Sequence, residues 1–164
     1  MVNHAVKGNL AKLLATEDLI VEHKKCDTAS FDVNRRVLTL PLWQKADEFT
    51  YDMLVAHEVG HALFTPNEDP KIKVPHQYIN ATEDARIEKL MKRRYAGLPK
   101  TFYRGYQALQ EVDFFGIGDS DPNEMGLADR VNLYFKIGAY LNISFTEGEK
   151  KIVDAIDKAE TFDE

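Results

Sequence analysis

Apolar residues recur every three to four positions over most of the chain, which is the spacing of an amphipathic helix. The pattern predicts helices over residues 3–20, 47–64, 77–96, 101–112, 127–142 and 147–160. The strongest is 47–64, where Asp47 can cap the N-terminus and Pro66 lies just beyond the C-terminus. The helix over 147–160 begins with a capping-box pattern, in which Thr146 is followed three residues later by Glu149.

A different pattern occupies residues 28–43, where strand-forming residues flank a short polar turn at 34–36. It predicts a β-hairpin whose second strand is Val37–Leu42. Because Pro41 has no N–H to donate, we expect that strand to lie at the edge of the sheet. The predicted fold is therefore α+β and mainly α, with a small antiparallel hairpin or sheet.

Length and composition bound the class of protein. With 164 residues, 44% of them hydrophobic, the chain can form one packed domain, so we expect a single domain over 1–164, which could be the N-terminal part of a longer protein. A net charge of −6 argues against general binding to nucleic acid or to an anionic membrane. No apolar run approaches the roughly 18 residues of a membrane span. The single cysteine, Cys26, excludes an internal disulfide framework, so we expect a soluble, cytoplasmic protein.

The main chemical signal is the sequence His-Glu-Val-Gly-His over residues 57–61. Residues four apart lie on one face of a helix, so the imidazoles of His57 and His61 can point at one metal ion. Both lie on the apolar stripe of the helix, where unpaired polar groups cost about 1–3 kcal/mol each and a shared metal would satisfy both. Glu58, turned by about 100°, would lie beside the metal as a base for bound water. The alternative is two helix histidines that have this spacing by chance.

A third ligand is needed, because a catalytic zinc site usually has three protein ligands and one open position. On the 77–96 helix, Glu83 projects from the centre of an apolar stripe. An isolated interior carboxylate would cost several kcal/mol or take up a proton, whereas metal coordination removes that cost. We therefore predict Glu83 as the third ligand. Asp84, about 100° away on the helix, is either an acceptor for the free N–H of a ligand histidine or an ordinary surface acid.

The motif over 57–61, followed by Glu83 on a later helix, resembles the gluzincin pattern of zinc peptidases, in which a glutamate is the third ligand. The stretch Asn80–Glu88 more narrowly resembles phage and bacterial metallopeptidase domains, which are often joined to a von Willebrand factor A module. The resemblance covers roughly residues 28–110. The resemblance implies Zn²⁺ as the cofactor and a minimal zincin-like core with an active-site helix and a second ligand helix. It also implies a von Willebrand factor A module as partner and, for a phage-encoded chain, a location in the host cytoplasm. The chain departs from the pattern at Ile87, where gluzincins have an aspartate.

These observations predict a zinc-dependent peptidase that hydrolyses peptide or protein substrates. His57, His61 and Glu83 would hold the zinc, and Glu58 would act as the general base. The alternative is a non-catalytic, zinc-stabilised interaction or regulatory module that works with a partner domain. Water as the fourth zinc ligand would favour the enzyme, and a protein side chain would favour the structural role.

Two further expectations concern the substrate of such a peptidase. In zincins an edge strand above the active-site helix pairs with extended substrate, and Val37–Leu42 is placed to do so; a hairpin that only covers the core is the alternative. The oxyanion of the reaction also needs a hydrogen-bond donor besides the metal. The candidate donors are His76, Tyr78, Tyr103, Arg104 and Tyr106.

Overall fold

The structure is a computed structural model that describes residues 2–17, 19–43, 47–68 and 73–164. These residues form an α+β fold that is mainly helical, which confirms the predicted class. The helices are α1 (His4–Ala15), α2 (Glu48–Phe64), α3 (His76–Arg94), α4 (Leu98–Glu111), α5 (Leu127–Ile137) and α6 (Glu147–Lys158), and a 3₁₀ turn spans Pro122–Glu124. The strands are β1 (Ile20–Lys24), β2 (Ser30–Asp32) and β3 (Val37–Pro41).

The helix ends follow local capping chemistry. Asp47 accepts hydrogen bonds from the first backbone N–H groups of α2, and Thr146 and Glu149 form the predicted capping box at the start of α6. The prediction for α1 was wrong at its C-terminus: the helix ends at Ala15 rather than at residue 20. Thr16 there adopts a left-handed conformation with φ 57°, which stops the helix and releases the chain into β1.

The predicted hairpin is confirmed, since β2 pairs antiparallel with β3 and Phe31 lies opposite Leu38. The expectation that Val37–Leu42 forms an edge strand was wrong. β1 pairs parallel with β3, so the strand order is β1-β3-β2 and β3 is central. Pro41 is tolerated because it is the last residue of β3, opposite Lys24, where the ladder ends.

Helix α2 lies at the centre of the molecule, with Tyr51, Val55 and Val59 fully buried. Two glycines let neighbouring helices approach it closely. A Cβ atom at Gly105 of α4 would lie 2.9 Å from the carbonyl oxygen of Phe49, and one at Gly60 of α2 would lie 2.7 Å from Ile87 Cδ1 of α3. The histidine-bearing face of α2 is thereby held against α3.

A smaller apolar cluster attaches the C-terminal helices. It consists of Ala85 from α3, Val131 from α5, and Val153 and Ile156 from α6. This packing fixes α5 alongside α3, which brings the last turn of α5 close to the acidic residues of α3. None of the helices in the described part of the chain combines the length and apolarity that crossing a bilayer requires.

Candidate metal centre

Three side chains converge between α2 and α3: the imidazoles of His57 and His61 and the carboxylate of Asp84. One ligand atom from each lies within 4.8 Å of the other two. Asp84 Oδ1 is 3.6 Å from His57 Nε2 and 3.3 Å from His61 Nε2. Two ligands of a tetrahedral zinc ion at ordinary bond lengths lie about 3.4 Å apart. The two separations between the carboxylate and the imidazoles therefore fit a single ion of that size.

Glu88 orients the first imidazole. Its Oε1 lies 2.9 Å from His57 Nδ1, and the hydroxyl of the buried Tyr106 donates to the same oxygen. Burial raises the pKa of Glu88, but the hydrogen bond with His57 and the charge of Lys92 outweigh it and hold that pKa below its ordinary value. Because an ionised carboxylate only accepts, His57 Nδ1 must carry a hydrogen, which leaves Nε2 as the nitrogen that faces Asp84.

A chain of hydrogen bonds orients the second imidazole. His61 Nδ1 lies 2.9 Å from Thr65 Oγ1, and that hydroxyl donates its one hydrogen to Glu83 Oε1. Thr65 can therefore only accept from His61, so Nδ1 is the protonated nitrogen here too. Both imidazoles therefore direct Nε2 toward Asp84, and a proton on that nitrogen must leave before it can bind a metal.

The structure places Asp84, rather than the predicted Glu83, with the two imidazoles. Glu83 is buried, as its helical position predicted, but its oxygens accept hydrogen bonds from Thr65 and from Arg86. The buried guanidinium of Arg86, one turn further along α3, compensates the charge of Glu83, for which the sequence predicts a metal. Glu83 thus supports His61 through Thr65.

Glu58 lies beside the three converging groups and is buried, with 8% of its surface exposed. Burial raises its pKa above the ordinary value, although the charges of His57 and His61 act in the opposite direction. None of the described residues donates a hydrogen bond to this carboxylate. A buried carboxylate with a raised pKa and no competing donor is suited to receive a proton.

The charges around Asp84 favour its ionised form. Burial raises the pKa of Asp84, but the hydrogen bond with His61 and the charges of His57 and Lys136 outweigh it, so the net pKa lies well below the ordinary value. The pKa of His57 is raised, because the bond to Glu88 and the negative charge of Asp84 exceed the effect of burial.

Three supporting residues were not found from the sequence: Thr65, Glu88 and Lys136. Glu88 follows Asp84 by four residues, so the two share a face of α3, and that spacing is a signal that could have found it. Lys136 reaches Asp84 Oδ2 at 2.7 Å from a helix 52 residues further along the chain. No local pattern relates it to the centre.

The residues considered as oxyanion donors have other surroundings. Tyr106 is buried and its hydroxyl is used by Glu88. Tyr78 and Tyr103 are exposed, and the guanidinium of Arg104 lies over the ring of Phe49, 4.7 Å from its centroid. The hydroxyl of Tyr106 therefore lies behind His57, on the side of its Nδ1 atom.

A cavity of about 700 Å³ lies between α3, α5 and α6. Its lining is mainly apolar and includes the Glu83–Arg86 pair, but not His57, His61 or Asp84. It therefore lies on a different side of α3 from the converging ligand atoms.

Comparison of the chain with protein-family models, with curated proteins and with solved structures finds no match.

Proposed function

We propose that this protein is a zinc-dependent peptidase with a zincin-like core, in which His57, His61 and Asp84 hold the zinc and Glu58 is the general base. The observation that carries the proposal is the position of Asp84 Oδ1, 3.6 and 3.3 Å from two imidazole nitrogens whose tautomers are fixed from behind. Two imidazoles and one carboxylate are a donor set that zinc uses in catalytic sites. A von Willebrand factor A module as partner and a cytoplasmic location belong to the same proposal.

The protein residues have distinct roles in this reaction. A zinc ion held here would lower the pKa of a water molecule and polarise the scissile carbonyl. Glu58 would act as the general base that receives a proton from the attacking water and gives it to the leaving amine. Glu88 and Thr65 keep the two imidazoles in the tautomer that binds metal, so no reorganisation of the ligands is needed.

The first test is the metal content of protein purified without added zinc, measured by elemental analysis together with cleavage of an unstructured protein such as casein. We expect about one zinc per chain and cleavage that a chelator removes. His61→Ala should lose both the metal and the activity. A parent protein without stoichiometric metal would overturn the proposal.

The second test separates metal binding from catalysis. Glu58→Gln should keep the zinc and the fold but lower the cleavage rate by about 10²- to 10⁴-fold, since the amide cannot take a proton. Glu48→Gln is the matched control, because Glu48 is an exposed glutamate in the first turn of the same helix. If Glu58→Gln cleaves as fast as Glu48→Gln, Glu58 is not the base.

A further inference from the structure

Lys136 is a lysine held among carboxylates in the interior. It lies in the last turn of α5, only 15% of its side chain is exposed, and its Nζ lies 2.7 Å from Asp84 Oδ2. Its charge also acts to lower the pKa of Glu58 and of Glu88, so both carboxylates lie within its electrostatic reach. Burying an ammonium group is costly, and this position is stable only because acidic groups surround it.

The position of Lys136 is set by packing rather than by a flexible reach from the surface. One turn and a half before it on α5, Val131 is buried in the apolar cluster that includes Ala85 of α3. Ala85 directly follows Asp84 in the same helix. The backbone that carries the ammonium group and the backbone that carries the carboxylate are therefore fixed to each other.

The two oxygens of Asp84 have different partners. Oδ1 faces the Nε2 atoms of His57 and His61, whereas Oδ2 is held by Lys136 on the other side. A carboxylate can bind a metal through one oxygen or through both. For Asp84 to bind through both, Oδ2 would have to leave the ammonium group and turn toward the imidazoles. The ion pair opposes that rotation.

We propose that Lys136 is a positioning residue that restricts Asp84 to coordination through one oxygen and thereby preserves a coordination position of the ion for water or substrate. The inference rests on the proposed function, because it concerns the metal centre formed by His57, His61 and Asp84. The inference adds the requirement that Asp84 binds the ion through one oxygen, which the identity of the three ligands does not ensure. Three protein ligands leave an open position only if none of them binds twice.

The test uses the full chain loaded with Co²⁺, whose visible absorption is stronger for four-coordinate than for five- or six-coordinate ions. Lys136→Met should retain one metal per chain, with a weaker absorption band as Asp84 adds its second oxygen. Acetohydroxamate, a small ligand that needs open metal positions, should bind this variant about 10- to 100-fold more weakly than the parent. Lys136→Arg, which restores a charged donor to Oδ2, should recover both the spectrum and the acetohydroxamate affinity.

Lys89→Met is the matched control. Lys89 lies on α3, 21% of its side chain is exposed, and it pairs with Glu160 at 3.3 Å, so the substitution removes a similarly buried positive charge without touching Asp84 or the groups that hold the two histidines. Its spectrum and acetohydroxamate affinity should match those of the parent, which separates a local effect on Asp84 from a general change in charge. If Lys136→Met does not fold, Lys136→Gln provides the same comparison, because its amide is one bond too short to replace the ammonium group.

The outcomes distinguish this inference from the proposed function. A parent that binds no metal overturns both. A parent that binds one metal, together with a Lys136→Met or Lys136→Gln variant whose spectrum and acetohydroxamate affinity are unchanged, overturns the role of Lys136 and leaves the metal centre intact. A variant whose spectrum changes without recovery in Lys136→Arg also contradicts the inference, since a charged donor would then not be what matters.

Discussion

Arg86 holds the carboxylate of Glu83 through two hydrogen bonds, from Nε to Oε2 at 2.8 Å and from Nη2 to Oε1 at 2.7 Å. Both residues are buried, and the bidentate geometry fixes the carboxylate in one orientation. The same carboxylate accepts the hydroxyl of Thr65, which in turn accepts from His61. Glu83 therefore acts on the candidate metal centre from behind a histidine, and Asp84 faces the place where an ion would lie.

This arrangement predicts opposite outcomes for two neighbouring substitutions. Asp84→Asn should lower zinc affinity by more than the roughly 10- to 100-fold that is typical of changes behind the ligands. Glu83→Gln should keep stoichiometric zinc but lower the free energy of unfolding by about 3–5 kcal/mol, because Arg86 would remain buried beside a neutral partner. Zinc affinity can be measured by competition with a chromophoric chelator, and stability by urea denaturation of the metal-free protein. Loss of zinc in Glu83→Gln but not in Asp84→Asn would restore Glu83 as the ligand.

The pH dependence of zinc binding should report the pKa of His57. Zinc needs the neutral imidazole, and the pKa of His57 is raised by Glu88 and Asp84 against the effect of burial. Affinity should therefore be full at high pH and should fall as the pH decreases through a midpoint above the ordinary histidine pKa of about 6.5. Competition titrations across this range measure it.

Glu88→Gln tests the cause of that midpoint. Without the carboxylate, only the charges of Asp84 and Glu58 oppose the effect of burial on the pKa of His57, so that pKa should fall and the loss of zinc affinity should move to lower pH. At high pH, where His57 is neutral in both proteins, the variant should bind zinc about 10- to 100-fold more weakly because the imidazole is less well oriented. An unchanged midpoint would mean that Glu88 does not set the protonation of His57.

The close approach of α4 to α2 should make Gly105 intolerant of a side chain. A Cβ there would lie 2.8 Å from Met53 Cβ and 2.9 Å from the Phe49 carbonyl oxygen, and backbone cannot yield as a flexible side chain can. We expect Gly105→Ala to lower the free energy of unfolding by about 1–3 kcal/mol. Gly148→Ala is the control, since nothing lies within 4 Å of its Cβ position in α6. It should raise stability by about 0.5–1 kcal/mol, and equal effects of the two substitutions in urea denaturation would contradict the packing argument.

The start of α6 should lose stability in acid. Glu149 forms an ion pair with Arg130 and accepts from the Thr146 backbone, and these contacts lower its pKa to about 2 from 4.5. Because the pKa of Glu149 is lower in the folded than in the unfolded protein, its ionised carboxylate stabilises the fold at pH values above about 4.5. That contribution is lost as the pH falls from about 4.5 to about 2. Glu149→Gln should therefore be less stable than the parent at pH 7, and the difference should disappear over this window. Urea midpoints of both proteins at several pH values measure it; a difference that persists in acid would argue against the ion pair.

The parts of the fold that the sequence predicted are those with local causes. Asp47 and Thr146 cap their helices through neighbours a few residues away, and the hairpin of β2 and β3 closes through Asp32, which accepts from the Arg35 backbone. β1 was missed because its partner, β3, lies beyond the intervening β2, and its half-exposed residues show no alternation of apolar and polar side chains. The same missing strand made β3 look like an edge.

The candidate site likewise has a part that local geometry predicts and a part that depends on contacts between distant residues. His57, Glu58 and His61 lie within about one turn of a single helix, so their relative placement follows from helical geometry. The choice between Glu83 and Asp84 does not, because both lie near the interface and the decision depends on where Arg86 and Thr65 place their donors. Helical projection identifies which side chains turn inward, but not what they meet there.

The hydrogen bonds on the Nδ1 atoms of His57 and His61 have a consequence for engineering. The acceptors come from α3 and from the residue that follows α2, so they are not carried by the five residues that contain both histidines. Grafting only those five residues onto a helix of another scaffold would transfer the imidazoles without the groups that decide which nitrogen is protonated. A working transplant would need the loop threonine and the α3 glutamate as part of the donor fragment.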